Sequence, residues 1–134
     1  MSILLIGLPN SGKSFFIDSI NNTQSLQRQK TFIDVTKYKS YTFTEIGGSV
    51  PVENLNLEVD YIFIVIRDKF HEANSLLLMV CEKYKVPVVI IWNEVEKPKH
   101  FFYPRGRRVC SCTLNFQNPN WFEKFQRILE FLNS

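Results

Sequence analysis

Metal-ligating and redox-active side chains are scarce in this sequence. Its 134 residues hold two histidines and three cysteines, and Cys81, Cys110 and Cys112 form neither a CxxC pair nor any histidine-supported spacing. That removes the usual zinc frameworks, and an odd cysteine count suits a reducing compartment, so the three are expected as small buried hydrophobes. Long apolar runs are lacking too. The longest, residues 86–92, contains Pro87 and falls far short of the roughly 20 residues a bilayer requires. Neither a charged start nor a cleavage site accompanies the first apolar run, and Ser2 excludes N-myristoylation. The expectation is a soluble, cytoplasmic chain that reaches membranes only through a partner. Charge of one sign is also in short supply: 16 Lys and Arg face 13 Asp and Glu, for a net charge of +3. A nucleic-acid footprint would be a denser stripe, so no nucleic-acid partner is expected. Arg105, Arg107 and Arg108 form the one local cluster, readable as a solvated loop or as a phosphate or partner patch.

What is present describes one folded domain. The chain is 45% hydrophobic and 22% charged, and its 12 phenylalanines predict an aromatic-rich core. Residues 3–6 are continuously apolar and end in Gly7, as in a strand buried on both faces. A helix is predicted next, over residues 15–20, and then a polar loop over 22–30. Residues 31–35 and 38–46 read as an antiparallel pair joined by a turn at 37–40, and 51–57 as a short irregular helix. A buried strand over 61–66, a helix over 71–84 and a strand over 87–92 follow. A short strand at 107–112 precedes a C-terminal helix that starts near Asn118-Pro119-Asn120. Alternation of this kind predicts an α/β fold with a doubly wound, mostly parallel sheet of about six strands. Between Asn93 and Arg107 there is no room for a further helix. The aromatic stretch Phe101, Phe102 and Tyr103 there is expected either to cover core or to form an exposed partner surface. His71 and His100 have no catalytic partner visible in sequence and read as surface or loop residues.

The sharpest motif is Gly7-Leu8-Pro9-Asn10-Ser11-Gly12-Lys13-Ser14, a full match to G-x-x-x-x-G-K-[ST] between a predicted strand and a predicted helix. Such a loop wraps backbone N–H groups and a helix N-terminus around phosphate oxygens. Its lysine bridges the outer phosphates and its hydroxyl meets Mg²⁺.

The order of elements, together with Glu45-Ile46-Gly47-Gly48, resembles the Ras superfamily of small GTPases, and the paired glycines resemble its Arf and Arf-like branch. The resemblance implies a P-loop NTPase fold of small G-domain type that lacks the helix after the base-recognition motif. It implies GTP or GDP as ligand with Mg²⁺. By it, Asn10, Ser11, Gly12, Lys13, Ser14, Phe15 and Gly48 surround the phosphates. Ser14 and Thr31 hold the metal, with Thr36 as the competitor of Thr31. Asn93-Glu94-Val95-Glu96 stands where the family has Asn-Lys-x-Asp, so Asn93, Glu94 and Glu96 would meet the base; Glu96 can accept from guanine N1 and N2. Ser111-Cys112-Thr113 lies where the family has Ser-Ala-Lys or Cys-Ala-Thr, so Ser111 and Cys112 would meet the guanine. Two departures bear on hydrolysis: Glu45 replaces the Asp of Asp-x-Gly-Gly, and Ser49 replaces the water-orienting Gln.

Three functions stay open on these residues. The first is a guanine-nucleotide switch with slow or absent hydrolysis that meets effector or regulatory proteins through its switch regions. The second is a pseudo-GTPase scaffold. In the third, a small ATPase or kinase, Asp68 would end a Walker B strand and the arginines would form a lid.

Overall fold

The computed structural model describes residues 1–8, 11–13, 33–46, 57–115 and 117–132. Six strands form one sheet: β1 (Ser2–Gly7), β2 (Ile33–Tyr38), β3 (Tyr41–Ile46), β4 (Tyr61–Ile66), β5 (Val88–Asn93) and β6 (Val109–Leu114). Helix α1 (Phe70–Lys83) lies between β4 and β5, and helix α2 (Trp121–Leu132) follows β6. Across the sheet the order is β2-β3-β1-β4-β5-β6, and β2–β3 is its one antiparallel pair. This is the mostly parallel, six-stranded α/β sheet that the alternating pattern predicts. The helix expected over 15–20, the loop over 22–30 and all of the 51–57 segment but Leu57 lie outside the described residues.

The continuous apolar runs of β1, β4 and β5 follow from burial on both faces. Ile3, Leu5, Phe43, Phe63, Val65 and Ile91 point to one side, where Trp121, Phe125 and Leu129 of α2 cover them. Leu4, Ile6, Ile64, Ile90 and Trp92 point to the other, beneath Ala73, Leu77, Val80 and Cys81 of α1. The aromatic core is real: Phe43 meets Phe63 at 6.3 Å and Phe125 at 6.1 Å. Each such fully buried ring contributes roughly 1.5–3 kcal/mol.

Two strand boundaries differ from the sequence expectation. The hairpin turn is only Lys39–Ser40, with Lys39 at φ 52°, so β2 extends to Tyr38. Tyr38 is held in the sheet by α2, where its ring meets Phe122 edge-on at 6.0 Å and its hydroxyl accepts from Gln126 Nε2 at 3.1 Å. At the far edge, β6 begins at Val109 rather than at Arg107. A guanidinium N–H of Arg107 donates to the Tyr84 carbonyl just past α1, and the turn before it runs through Gly106 at φ 79°. Arg107 is therefore a helix-end clamp, while Arg105 and Arg108 are exposed.

Residues 94–108 contain no helix, as expected, and cross the sheet as an irregular strap. Phe101 is buried at 6% exposure and packs edge-on against Trp92 at 5.0 Å, so it fills the space a helix would cover. Phe102 and Tyr103 face outward at 69% and 44% exposure. Asn74 of α1 pins the strap twice: its Nδ2 donates to the Phe102 carbonyl at 2.8 Å and its Oδ1 accepts from the Phe102 N–H at 3.0 Å. Losing both bonds in Asn74→Ala is expected to lower stability by about 1–2 kcal/mol, read as a reduced urea midpoint at unchanged slope.

Candidate functional site

In a parallel sheet the loops that leave the carboxyl ends of the strands converge on one edge, and ligands bind there. The loop after β1 is unusually tight. A Cβ at Gly7 would stand 2.7 Å from Ser11 Oγ and 2.8 Å from the Val65 carbonyl oxygen, so no other residue fits without displacing backbone. The Ser11 N–H donates to the Leu8 carbonyl at 3.2 Å, and Gly12 takes φ 106°, a conformation that L side chains rarely adopt. Ser11 and Lys13 are 3% and 4% exposed. Among the described residues the Ser11 hydroxyl has no hydrogen-bond partner.

Next to this loop stands the end of β5. Asn93 is 2% exposed, and its Nδ2 donates to the Ser11 carbonyl at 2.9 Å. The base-motif asparagine thus holds the phosphate loop directly, across 82 residues of sequence. On the other side, Glu45 of β3 is buried at 3% exposure in register with Leu5 of β1. Asp68, the Walker B candidate, is exposed beyond β4. A carboxylate one strand from the phosphate loop is therefore supplied by Glu45.

Glu94, where the resemblance has a lysine, adopts φ 59°, and its Oε2 meets Arg67 Nε at 3.0 Å. Both side chains are partly exposed, so the pair contributes at most about 1 kcal/mol. Its geometric effect is to tie the loop after β4 to the loop after β5. Beside it opens a cleft of about 600 Å³ lined by Glu94, Glu96, Thr113, Asn115, Trp121 and Lys124, among others.

Ser111 and Cys112 do not reach this cleft. They pair with Ile90 and Ile91 inside the sheet, whereas Asn93 pairs with Leu114. At about 3.3 Å per residue, Ser111 sits some 10 Å short of the strand end. The residues brought beside Glu94 and Glu96 are Thr113, Leu114 and Asn115, and the Glu94 N–H donates to the Leu114 carbonyl at 3.3 Å. Thr113 belongs to the stretch the resemblance points to, whereas Leu114 and Asn115 do not, because the sequence expectation starts β6 two residues early at Arg107; the signal available was Gly106, the turn residue before the strand. Cys110 is exposed and Cys112 half-buried, so only Cys81 is the buried hydrophobe expected of all three. Thr36, the alternative switch threonine, is buried in the middle of β2 opposite Phe43 and belongs to the sheet. Asn10, Ser14, Phe15, Thr31, Gly48 and Ser49 lie outside the described residues.

The sheet order and the phosphate-loop cradle define the fold of a P-loop G domain. Solved structures share it. A probable GTP-binding protein engB superposes with a TM-score of 0.65 at 14% identity, covering 97% of each chain. The G domain of the T. maritima FeoB iron transporter gives 0.60 at 18% identity over 98% of each. Roco2 RocCORdC of Methanosarcina barkeri, bound to GDP, gives 0.62 at 14% identity; the match covers 97% of this chain and 47% of that one, so the chain spans about half its length. Among curated sequences, the Probable GTP-binding protein EngB of Mycoplasma capricolum subsp. capricolum and that of Mycoplasma mycoides subsp. mycoides are each 24% identical over 153 residues. Those alignments cover 94% of this chain and 78% of theirs. No protein-family model matches the chain. These neighbours support the small-GTPase fold in general and not the Arf branch in particular. No helix among the described residues is long and apolar enough to cross a membrane.

Asn93→Asp tests the joint between the two loops. It replaces an N–H donor with an acceptor facing the Ser11 carbonyl, so stability is expected to fall by about 1–3 kcal/mol in chemical denaturation. Gly7→Ala is expected to cost a similar 1–3 kcal/mol through overpacking, with the loss read from the thermal midpoint.

Proposed function

We propose that this chain binds guanine nucleotide and works as a switch whose hydrolysis is slow or absent, acting through effector or regulatory proteins. The observation that carries the reading is the buried hydrogen bond from Asn93 to Ser11, which makes the base-side loop and the phosphate loop one rigid unit. A nucleotide, with phosphate at one end and a polar heterocycle at the other, is the kind of molecule that would span the two loops. EngB relatives described as GTP-binding support the choice of guanine.

The residues fit such a ligand. Lys13 brings a cation to the phosphate loop, the Ser11 hydroxyl, without a partner among the described residues, adds a polar atom beside it, and Gly7 and Gly12 let the backbone close. Glu96 accepts from the N1 and N2 edge of guanine, and the end of β6 at Thr113, Leu114 and Asn115 walls the cleft opposite. The Arg67–Glu94 pair takes over the loop-tying part of the missing lysine. Ser14 and Thr31 are the residues that would hold Mg²⁺, which would supply charge neutralisation to the bound phosphates. Ser49, lacking an amide, cannot orient an attacking water as Gln does, which is the chemical reason for slow turnover. The exposed position of Asp68 weighs against the ATPase or kinase reading.

Nucleotide released on denaturing the purified chain, and titration with GDP, GTP and ATP, test this directly. Retained guanine nucleotide is the expected result, with affinity reduced about 10- to 100-fold in Lys13→Ala for loss of a charge-assisted contact. A preference for ATP would overturn the guanine reading, and no bound nucleotide in any titration would make the chain a scaffold.

A further inference from the structure

β6 closes one side of the sheet, and its sequence, Val-Cys-Ser-Cys-Thr-Leu, contains no charge, proline or glycine. Edge strands are ordinarily guarded by such residues against pairing with another chain, and the opposite edge, β2, carries Asp34 and Lys37. The direction of the free groups is readable. The Arg108 carbonyl accepts from the Val88 N–H at 2.9 Å and the Leu114 carbonyl accepts from the Glu94 N–H at 3.3 Å, so the even-numbered residues of β6 face β5. Val109, Ser111 and Thr113 accordingly present N–H and C=O outward. Lys124 Nζ reaches the Thr113 carbonyl at 3.4 Å, as an outward-facing oxygen allows.

We propose that this edge pairs antiparallel with β6 of a second copy of the chain, centred on Ser111. That register sets Ser111 against Ser111 and Val109 against Thr113 on both sides of the axis, so every outward N–H and C=O of the three residues finds its counterpart. Charge supports a second copy as the occupant. Residues 97–108 carry Lys97, Lys99, Arg105, Arg107 and Arg108 and no acid. Antiparallel pairing brings exposed Arg105 and Arg108, at the amino end of one β6, to the carboxyl end of the other, where Glu94, Glu96 and Glu123 outnumber Lys124 and Arg127 along the cleft. Lys124 exchanges its long contact with Thr113 for the strand bond. The register also sets Cys110 against Cys112 of the second copy in two non-hydrogen-bonded pairs, where Cα atoms approach to about 4.5 Å, within disulfide reach. Burial pushes the Cys112 thiol up to about 12, helped by Cys110, and raises Cys110 as well. Joining two thiols releases two protons and two electrons, so an added oxidant is needed.

Sedimentation velocity over a micromolar concentration series tests the pairing, with Ser111→Lys and Ser111→Glu as variants. Ser111 is exposed and its side chain is not part of the strand ladder, so both variants are expected to fold, as circular dichroism checks. The wild type is expected to dimerise with rising concentration. Each charged variant alone sets like charges opposite one another and weakens association roughly fivefold, whereas an equimolar mixture of the two recovers it. Diamide, taking up two protons and two electrons per disulfide formed, is expected to give a covalent dimer that is lost in Cys110→Ser. A wild type monomeric at high micromolar concentration would leave the edge to a different protein and overturn the proposal. So would charged variants that dimerise like the wild type, or a crosslink that survives Cys110→Ser.

Discussion

At position 7 there is room for a hydrogen and nothing larger. The Val65 carbonyl closes in from β4 and the Ser11 hydroxyl from the loop, so the chain leaves β1 on a path with almost no freedom. The buried bond from Asn93 then locks that path to the end of β5. Three parallel strands, β1, β4 and β5, thereby place their exits in one rigid cluster, and the cleft beside Glu94 and Glu96 takes its position from it. Close packing transmits this constraint, because neighbours already in contact cannot move to accommodate a displaced loop.

The strap of residues 94–108 shows how a sheet dispenses with a covering helix. A helix would bury its apolar stripe over β5 and β6; here a single ring, Phe101, does that on Trp92. The exposed backbone that such a strap leaves is satisfied by borrowed groups: the Asn74 amide serves Phe102 in both directions. Arg107 returns the favour by closing the end of α1 at Tyr84. One consequence lies at the sheet edge, because a strap ending in a turn at Gly106 sets where β6 begins and so which residues arrive at the cleft.

An ion pair joins the loops that leave β4 and β5. Where a lysine is expected, Glu94 stands in a left-handed conformation and recruits Arg67 from the neighbouring strand exit. The pair is net neutral, so what it supplies is a link between those two loops.

Much of the architecture was legible from residue order alone. Continuous apolar runs in β1, β4 and β5 can be satisfied only by burial on two faces, and the 3.6-residue stripe of Ala73, Leu77, Val80 and Cys81 only by a helix lying on one of them. The phosphate loop was equally plain, since its glycines and lysine are a local requirement met by neighbouring residues. Register was not legible. Whether β6 started at Arg107 or Val109 depended on Arg107 being taken by Tyr84, 23 residues away, and the difference decided that Thr113–Asn115 and not Ser111–Cys112 border the cleft. The extent of β2 likewise rested on α2 capturing Tyr38. Periodicity is a property of neighbours along the chain and can be read from them; the side chain that ends a strand answers to contacts that exist only after the chain has folded.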